Sequence, residues 1–271
     1  MIPSTIGILD SGVGGLSVLR EIRAVLPAHP LIYVGDSAWC PYGNKPAEQI
    51  RERVFELVDL LLAQGAELVV VACNSATIAA VEALRATYPI AFVGMEPAVK
   101  PAAALTSTGV IGVLATEASL AGEKFHRLVD THARPQNVRV ITRPCPRFVE
   151  LVESGICSGP EVDAAIDDAT KPLLDEGVDV LVLGCTHYPF LRAAIQARVG
   201  NEIQLIDTGR AVAERTVSLL PQADFETDEA ARQPGRVRLL TSGPVDDIER
   251  LANQLLGDDL PADMTVEPLG D

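Results

Sequence analysis

Two cysteines occupy matching positions in two similar stretches of this 271-residue chain. Residues 65–77 and 177–189 share one pattern. Each begins with a glycine, a small or apolar residue and an acid, and continues with four apolar residues, an alanine or glycine, a cysteine and a small polar residue. The two cysteines are Cys73 and Cys185. A thiol, whose ordinary pKa is about 8.5, can act as an acid or a base near neutral pH. Most buried cysteines only fill space, but packing alone gives no reason to keep a cysteine at both positions.

Each stretch predicts a strand that leads into a helix. A short apolar run bounded by glycine and followed by helical periodicity, here over residues 78–84 and 191–199, is typical of a buried parallel strand. Open α/β sheets carry their chemistry at the carboxyl ends of the strands. We therefore expect Cys73 and Cys185 to face each other across a cleft. Two opposed acid–base groups suit the inversion of a stereocentre, because one removes a proton and the other returns a proton to the opposite face.

The pattern of the chain restarts near residue 109. Residues 110–117 repeat the features of residues 5–12, and the spacing between these segments is similar to the spacing between the two cysteines. This repetition predicts an α/β protein built from two pseudo-symmetric, doubly wound domains with mainly parallel sheets. The active site is expected in the cleft between the two domains.

The C-terminal part of the chain has no third cysteine motif. It contains a polar stretch over residues 222–233, a predicted strand over 237–241 and a predicted helix over 245–256. Because this part is too short for a third copy, we expect it to return to the first domain. The predicted first domain therefore comprises residues 1–97 and 209–271, and the second comprises residues 98–208.

A glycine-rich turn follows the first predicted strand. The residues Asp10-Ser11-Gly12-Val13-Gly14-Gly15 lie between a strand and a helix, as a nucleotide-binding turn would, but the spacing differs from GxGxxG and an acid precedes the glycines. Asp10 is either a cap of the helix or a functional group. A nucleotide- or phosphate-binding module stays open as an alternative, as does a non-catalytic protein that binds a small acid.

Other side chains could assist a thiol by moving or orienting a proton. His187 lies two residues after Cys185, and both Glu150 and Glu153 lie on a helix predicted over residues 146–154. The pair of Cys185 and His187 could also be half of a metal site. Because the sequence places no third ligand nearby, we expect no metal.

Composition and charge exclude several classes of function. The net charge of −15 argues against binding to nucleic acid or to an anionic membrane surface, although backbone amides at helix starts can still bind a small anion. No apolar run approaches the roughly 18 residues that span a bilayer, and the N-terminus does not have the pattern of a signal peptide. An odd number of cysteines without a CxxC pair predicts free thiols in a reducing cytoplasm. Structural roles are expected for the three cysteines outside the repeat, which are Cys40, Cys145 and Cys157.

Several motifs, taken in order, closely resemble those of the glutamate racemases, within the aspartate/glutamate racemase family. The resemblance covers almost the whole chain, from Gly7 to about Thr216. Ser75 stands where the family more often has threonine, and Trp39-Cys40 before Pro41 is unusual. The motifs are Asp10-Ser11-Gly12-Val13-Gly14-Gly15-Leu16, Pro41-Tyr42-Gly43, Ala72-Cys73-Asn74-Ser75-Ala76 and Gly184-Cys185-Thr186-His187-Tyr188-Pro189.

The resemblance implies a cofactor-independent enzyme that interconverts L- and D-glutamate and supplies D-glutamate for peptidoglycan. It implies that Cys73 and Cys185 are the acid–base thiols and that no pyridoxal phosphate, metal or nucleotide takes part. The implied assisting residues are Asp10, Glu153 and His187. The implied substrate-binding residues are Asp10, Ser11, Tyr42, Gly43, Asn74, Ser75, Thr116, Thr186 and His187. Glutamate is the expected small-molecule partner, a homodimer is left open, and an aspartate or other amino-acid racemase of the same fold is the nearest alternative.

Overall fold

The protein, seen in a computed structural model, is described over residues 3–225 and 234–270. These residues form ten β-strands, β1 to β10 in chain order. The strands are β1 Ile6–Asp10, β2 Leu31–Gly35, β3 Leu68–Val71, β4 Ala91–Gly94, β5 Val110–Ala115, β6 Arg139–Pro144, β7 Val180–Gly184, β8 Gln204–Ile206, β9 Val237–Thr241 and β10 Thr265–Pro268. Most of the predicted polar stretch over 222–233 lies outside the described residues.

Helices follow most of the strands, as an α/β fold requires. The helices are α1 Leu16–Val25, α2 Ala47–Ala63, α3 Asn74–Thr87, α4 Val99–Leu105, α5 Glu117–Ala121, α6 Glu123–His132, α7 Pro146–Glu153, α8 Pro160–Asp175, α9 Arg192–Val199, α10 Gly209–Leu219 and α11 Val245–Leu256. Among the residues described, no helix combines the length and the apolar character needed to cross a membrane.

The strands form two parallel sheets with the same internal order. The larger sheet has the order β10-β9-β2-β1-β3-β4, and the smaller has the order β6-β5-β7-β8. The run β2-β1-β3-β4 therefore matches β6-β5-β7-β8 strand for strand. In the registers of the central pairs, Leu9 lies opposite Val71 and Ala115 lies opposite Gly184. The predicted two-fold repetition of an α/β unit is confirmed.

Each of the two cysteine stretches contains an acidic residue, and the two acidic residues have the same role in their sheets. Glu67 Oε1 accepts a hydrogen bond from the backbone amide of Thr5 at 3.2 Å, directly before β1. Asp179 Oδ2 accepts hydrogen bonds from the amides of Ser107 and Thr108 at 2.6 and 3.1 Å, directly before β5. Each carboxylate thus satisfies backbone donors where the neighbouring central strand begins. This explains why an acid precedes both apolar runs.

Alternating side chains of the central strands face different apolar layers, because successive residues of a strand point to opposite faces. One continuous cluster of buried residues contains Ile8 and Val70 from the larger sheet together with Leu181 and Leu183 from the smaller. Neighbouring positions of the larger sheet, such as Val71, face a separate cluster. The two sheets therefore share one apolar layer, which fixes their carboxyl ends relative to each other.

The C-terminal strands extend the larger sheet. Strand β9 pairs with β2, with Val237 opposite Leu31, and β10 pairs with the outer side of β9. The strand expected over 237–241 is confirmed, whereas β10 was not predicted. Helices α10 and α11 both pack against α1. The expected division of the chain after residues 97 and 208 stays a prediction.

Candidate active site

The two repeated cysteines lie at equivalent strand ends and line the same cavity. Cys73 follows β3 and is the N-cap residue of α3, where its Sγ accepts a hydrogen bond from the amide of Ala76 at 3.5 Å. Cys185 follows β7 directly. Both side chains are buried, with 6% and 7% of the residue surface exposed. The parallel strands therefore bring both thiols to the same cavity, one from each half of the molecule.

Most of the predicted site residues line this cavity. Its empty space, including the mouth, is about 260 Å³. Asp10 and Glu153 do not line it but are hydrogen-bonded to residues that do. The lining residues are Ser11, Pro41, Tyr42, Gly43, Cys73, Asn74, Ser75, Thr116, Val149, Cys185, Thr186 and His187. The structure thus brings together residues predicted from both halves of the chain.

A histidine–carboxylate pair supports Cys185. His187 Nδ1 lies 3.5 Å from Cys185 Sγ, and His187 Nε2 lies 2.6 Å from Glu153 Oε1. Glu153 Oε1 also accepts the backbone amide of Val13 at 2.9 Å. Glu150, the other candidate acid, instead pairs with Arg147 on the exposed face of α7. Glu153 is therefore the acid that reaches the cavity, and it does so through His187.

Electrostatics make His187 and Glu153 an ion pair. Burial disfavours the charged form of His187, but the neighbouring Cys185 and Glu153 outweigh it and raise the pKa of the imidazole well above its ordinary value. Burial likewise opposes ionisation of Glu153, yet the hydrogen bond from His187 leaves the pKa of this carboxyl below its ordinary value. The imidazolium faces Cys185 and would stabilise negative charge on that sulfur.

Asp10 has two tasks beside the cavity. Its Oδ2 accepts the amide of Gly12 at 3.2 Å, and its Oδ1 accepts the hydroxyl of Thr186 at 3.3 Å. Burial raises the pKa of Asp10, although nearby His187 opposes the shift. Burial and the charge of Asp10 in turn raise the pKa of Cys73 to about 12. Asp10 therefore fixes the glycine-rich turn and also joins the two halves beside the thiols.

The glycine-rich turn is filled by side chains from the other half of the molecule. A β-carbon at Gly12 would lie 2.1 Å from Glu153 Oε1, and one at Gly14 would lie 2.4 Å from His187 Nδ1. Both distances are far shorter than real contacts, so only glycine admits the His187–Glu153 pair. Close approach of this pair explains the glycines without a bound phosphate.

A network that the sequence did not reveal holds the loop after β2 against the cavity. Asp36 is fully buried and accepts the hydroxyl of Tyr42 at 2.6 Å and that of Ser242 at 2.8 Å. Arg53 donates to both carboxylate oxygens at 2.8 and 2.9 Å. Tyr42 and Gly43 line the cavity, so this network positions part of its wall. The only signal in the sequence is that Asp36 follows β2 as Asp10 ends β1.

Asn74 presents an unpaired polar group to the cavity. Its residue is 3% exposed, and neither its Nδ2 nor its Oδ1 has a hydrogen-bond partner among the described residues. An unpaired buried amide costs about 1–3 kcal/mol per group, so it points to a ligand that completes it. Ser75 and Thr116 lie beside it, with their hydroxyl oxygens 3.0 Å apart across the two halves.

The described residues contain one group of three side chains that could hold a metal ion. The ligand atoms of Cys40, Glu153 and His187 all lie within 4.8 Å of one another. The sequence links His187 only to Cys185, because Cys40 and Glu153 lie far away along the chain.

Comparisons with known proteins show the family of this chain. A sequence model of the family described as Asp/Glu/Hydantoin racemase matches residues 6–216. The chain is 49% identical over 255 residues to the glutamate racemase of Ectopseudomonas mendocina, which covers 93% of this chain and 95% of the relative.

Solved structures give the same result for the fold. Escherichia coli glutamate racemase in complex with L-glutamate and the activator UDP-MurNAc-ala superposes with a TM-score of 0.84 at 32% identity, covering 99% of this chain and 98% of the other. Thermus thermophilus glutamate racemase in complex with β-chloro-D-alanine gives a TM-score of 0.76 at 32% identity, covering 98% of each chain.

Proposed function

Because the chain belongs to the Asp/Glu/Hydantoin racemase family and is therefore an isomerase, we propose that it interconverts L-glutamate and D-glutamate, with Cys73 and Cys185 as the acid–base groups. The observation that carries this proposal is the position of the two thiols, at equivalent strand ends and in the wall of one cavity. Glutamate as the substrate is supported by the glutamate racemases to which the chain is similar.

The cavity suits an amino acid bound by neutral donors and acceptors. Its described lining residues include neither lysine nor arginine. Carboxylates can instead be bound by hydroxyl groups and by the first backbone amides of α3, where the helix dipole is positive. Asn74 offers both an amide donor and a carbonyl acceptor, which a carboxylate and an ammonium group would satisfy. The hydroxyl groups in the lining that are not donated to Asp10 or Asp36 are those of Ser11, Ser75 and Thr116.

Racemisation then requires one proton to leave and one to arrive. Starting from L-glutamate, the thiolate of Cys185 takes the α-proton: the Cα–H bond breaks, an S–H bond forms, and the electron pair stays on the α-carbon and its carboxylate. Cys73 gives its thiol proton to the opposite face and becomes the thiolate. Atoms and charge balance, and the enzyme is left ready for the reverse reaction. The assignment of Cys185 to L-glutamate rests on the family resemblance.

The surroundings of the thiols support this starting state. His187 Nδ1 lies 3.5 Å from Cys185 Sγ, within hydrogen-bonding reach of that sulfur. Burial and Asp10 raise the pKa of Cys73 to about 12, which keeps that thiol protonated as an acid. Glu153 holds His187 in place at 2.6 Å. One base and one acid are thus ready on opposite sides of the cavity.

The proposal also covers the setting of the reaction. Both proton transfers are assigned to thiols, so it needs no pyridoxal phosphate, metal or nucleotide. All five cysteines are free, which suits a reducing cytoplasm. The product would supply D-glutamate for peptidoglycan. A net charge of −15 disfavours a nucleic-acid partner.

Circular dichroism of an L-glutamate solution tests the proposal directly. With purified protein and no added cofactor, the signal should decay to zero as the racemate forms, and the same should hold from D-glutamate. Parallel reactions with L-aspartate distinguish the aspartate-racemase alternative. A lasting signal with both amino acids would contradict the proposed activity.

Variants test the assignment of the thiols. Cys73→Ala and Cys185→Ala should each lower the rate of racemisation by about 10²–10⁴-fold or more in both directions, because each removes the acid–base group of one face. Cys157→Ala, which changes a half-buried thiol elsewhere, is the matched control and should keep wild-type activity. Racemisation at the wild-type rate by either active-site variant would rule out the two-thiol mechanism.

A further inference from the structure

Three side chains from distant parts of the chain converge at the edge of the active site. Cys40 lies in the loop between β2 and α2, Glu153 is the last residue of α7, and His187 follows β7. Their sulfur, oxygen and nitrogen atoms all lie within 4.8 Å of one another. In the mechanism above, His187 and Glu153 have roles but Cys40 has none.

We propose that Cys40, Glu153 and His187 form a binding site for Zn²⁺ and that zinc bound there inhibits the enzyme. Thiolate, imidazole and carboxylate are the three ligand types that zinc prefers, and three protein ligands leave the fourth tetrahedral position to water. The metal site stands on the geometry of these residues alone. The inhibitory effect also rests on the proposed function.

The distances between the three ligand atoms are close to those of a tetrahedral zinc site. Zinc–ligand bonds of about 2.0 to 2.3 Å place the ligand atoms of a tetrahedral site about 3.3–3.6 Å apart. The pair of Glu153 Oε1 and His187 Nε2 is already closer, at 2.6 Å, and would open as the metal entered between the two atoms. No two of the three ligand atoms are more than 4.8 Å apart, so no pair has to approach by more than about 1.5 Å to complete the site. Gly12 leaves the necessary space, since a β-carbon there would lie 3.0 Å from Cys40 Sγ.

Once the imidazolium has given up its proton, the nearby carboxyl groups and the access from solvent favour a cation. Glu153 is an anion, and the buried Asp10 interacts electrostatically with Glu153, His187 and Cys40. Cys40 and Glu153 are both partly exposed, so a metal can reach them from solvent. Binding releases two protons to solvent: the S–H bond of Cys40 and the Nε2–H bond of His187 break as the Zn–S and Zn–N bonds form.

Zinc at this site would remove the support of Cys185. Coordination through Nε2 breaks the 2.6 Å hydrogen bond between His187 and Glu153 and turns the imidazole ring toward the metal. Its Nδ1 then leaves its position 3.5 Å from Cys185 Sγ, and a displacement near 1 Å is enough to impair an aligned catalytic group. The cycle of racemisation needs both thiols, so displacing the partner of one thiol slows the reaction in both directions.

Cobalt binding to the full-length enzyme tests the metal site by a measurement that does not depend on racemase activity. Co²⁺ added to the wild-type protein should produce a thiolate-to-cobalt charge-transfer band in the near ultraviolet, with visible bands of four-coordinate intensity, and Zn²⁺ should abolish both. Cys40→Ser should lose these bands, whereas the control Cys157→Ser should keep them. Equal bands in Cys40→Ser and the wild type would show that other thiols bind the metal, and would overturn the site.

Inhibition is measured on the same variants by circular dichroism with L-glutamate. Zn²⁺ should inhibit the wild type and Cys157→Ser, and Cys40→Ser should need at least about tenfold more zinc for the same inhibition while racemising normally without metal. Mg²⁺, which prefers oxygen ligands, should have no effect. Equal inhibition of Cys40→Ser overturns the inhibitory site. A Cys40-dependent cobalt band in a protein without racemase activity would leave the site standing and refute only the proposed function.

Discussion

The two thiols occupy equivalent positions but have different neighbours. Cys73 Sγ accepts a backbone amide of α3 and lies 3.7 Å from the hydroxyl of Ser11. Cys185 instead faces the imidazolium of His187. A duplicated unit thus supplies the same reactive atom twice, while the side chains around the two sulfur atoms differ. We expect each thiol to take the α-proton from one enantiomer only.

Serine variants test this division of labour. A serine hydroxyl is much harder to ionise than a thiol but keeps a similar shape and a donor proton. Elimination of HCl from a β-chloro analogue needs mainly the first proton abstraction, so one working base suffices. Cys73→Ser and Cys185→Ser should lose racemisation yet keep elimination on opposite enantiomers, with Cys73 acting on the D form and Cys185 on the L form.

The measurement is the rate of elimination from each enantiomer with each variant. If both variants fail on the same enantiomer, the two thiols do not act from opposite faces.

Gly14 allows His187 to approach Cys185, which a larger residue would prevent. In Gly14→Ala the new β-carbon would lie 2.4 Å from His187 Nδ1, so the imidazole must move. We expect kcat for L-glutamate to fall about 10²-fold, since a displacement near 1 Å has that effect on an aligned group. Elimination through Cys73 should be largely kept, which separates displacement of His187 from misfolding.

Gly270→Ala is the control for this variant, because a β-carbon at that position meets no heavy atom within 4 Å. Gly14→Ala with unchanged kcat, or with equal losses at both thiols, would contradict the positioning role.

At the scale of helices and strands, the sequence predicts what depends on local pattern. The runs before Cys73 and Cys185 form buried strands because four consecutive apolar residues can be covered on both faces. Strand β10 escaped prediction because Val266 is the only aliphatic residue within it and Pro268 ends it at the edge of the sheet.

Local sequence patterns do not predict contacts between distant segments of the chain. Arg53 is one of several charged residues on α2, and the sequence does not distinguish it from the others. Only the fold places it against Asp36 at the end of β2. Cys40 likewise has no repeat or spacing that would link it to His187. By contrast, His187 could be associated with Cys185 from the sequence, because two residues separate them along the chain.

The network around Asp36 yields a prediction about the loop between β2 and α2. Burial would raise the pKa of Asp36, but the hydrogen bonds from Arg53, Tyr42 and Ser242 outweigh it and lower the pKa below the ordinary value. In Asp36→Asn the wall formed by Tyr42 should loosen, so KM for glutamate should rise. The free energy of unfolding at pH 7 should fall by about 1–3 kcal/mol.

The pH dependence follows from the direction of the shift. A lowered pKa in the folded state stabilises the protein above the unfolded value of about 4 and loses that effect as the pH falls through the folded value. The difference in unfolding free energy between wild type and Asp36→Asn, measured with urea, should therefore shrink between pH 5 and lower pH. Asp59→Asn is the control, because Asp59 also accepts a tyrosine hydroxyl, from Tyr88, but on an exposed surface. Equal effects of the two substitutions would exclude a special role for the network.

At the scale of the whole molecule, the shared apolar layer places the carboxyl ends of two sheets against each other. Hydrogen bonds cross between the halves at the site, including Ser17 Oγ to the carbonyl of Thr186 at 2.8 Å and the amide of Val13 to Glu153 at 2.9 Å. The candidate site is therefore complete only when both halves are folded and packed together.

Exhaustive chelation gives a prediction for the complete enzyme. If thiols carry both proton transfers, activity should not fall after a chelator is added and removed. It should rise in preparations that carry inhibitory zinc. Metal content and the rate of racemisation would be measured together. Loss of activity on chelation, with recovery on adding zinc, would contradict a metal-free mechanism.

The matching strand order of the two sheets bears on the rates of the reaction in its two directions. Enantiomers in water have equal free energies, so the equilibrium constant between them is unity, and no net driving force favours either direction. In the proposed mechanism, two copies of one strand pattern give each direction its own base, while the pair of His187 and Glu153 supports only one of them. The Haldane relation then requires any ratio of kcat between the two directions to equal the ratio of the two KM values. The unequal neighbours of Cys73 and Cys185 can change how fast the enzyme works at saturation in each direction, but they leave kcat/KM the same for both enantiomers.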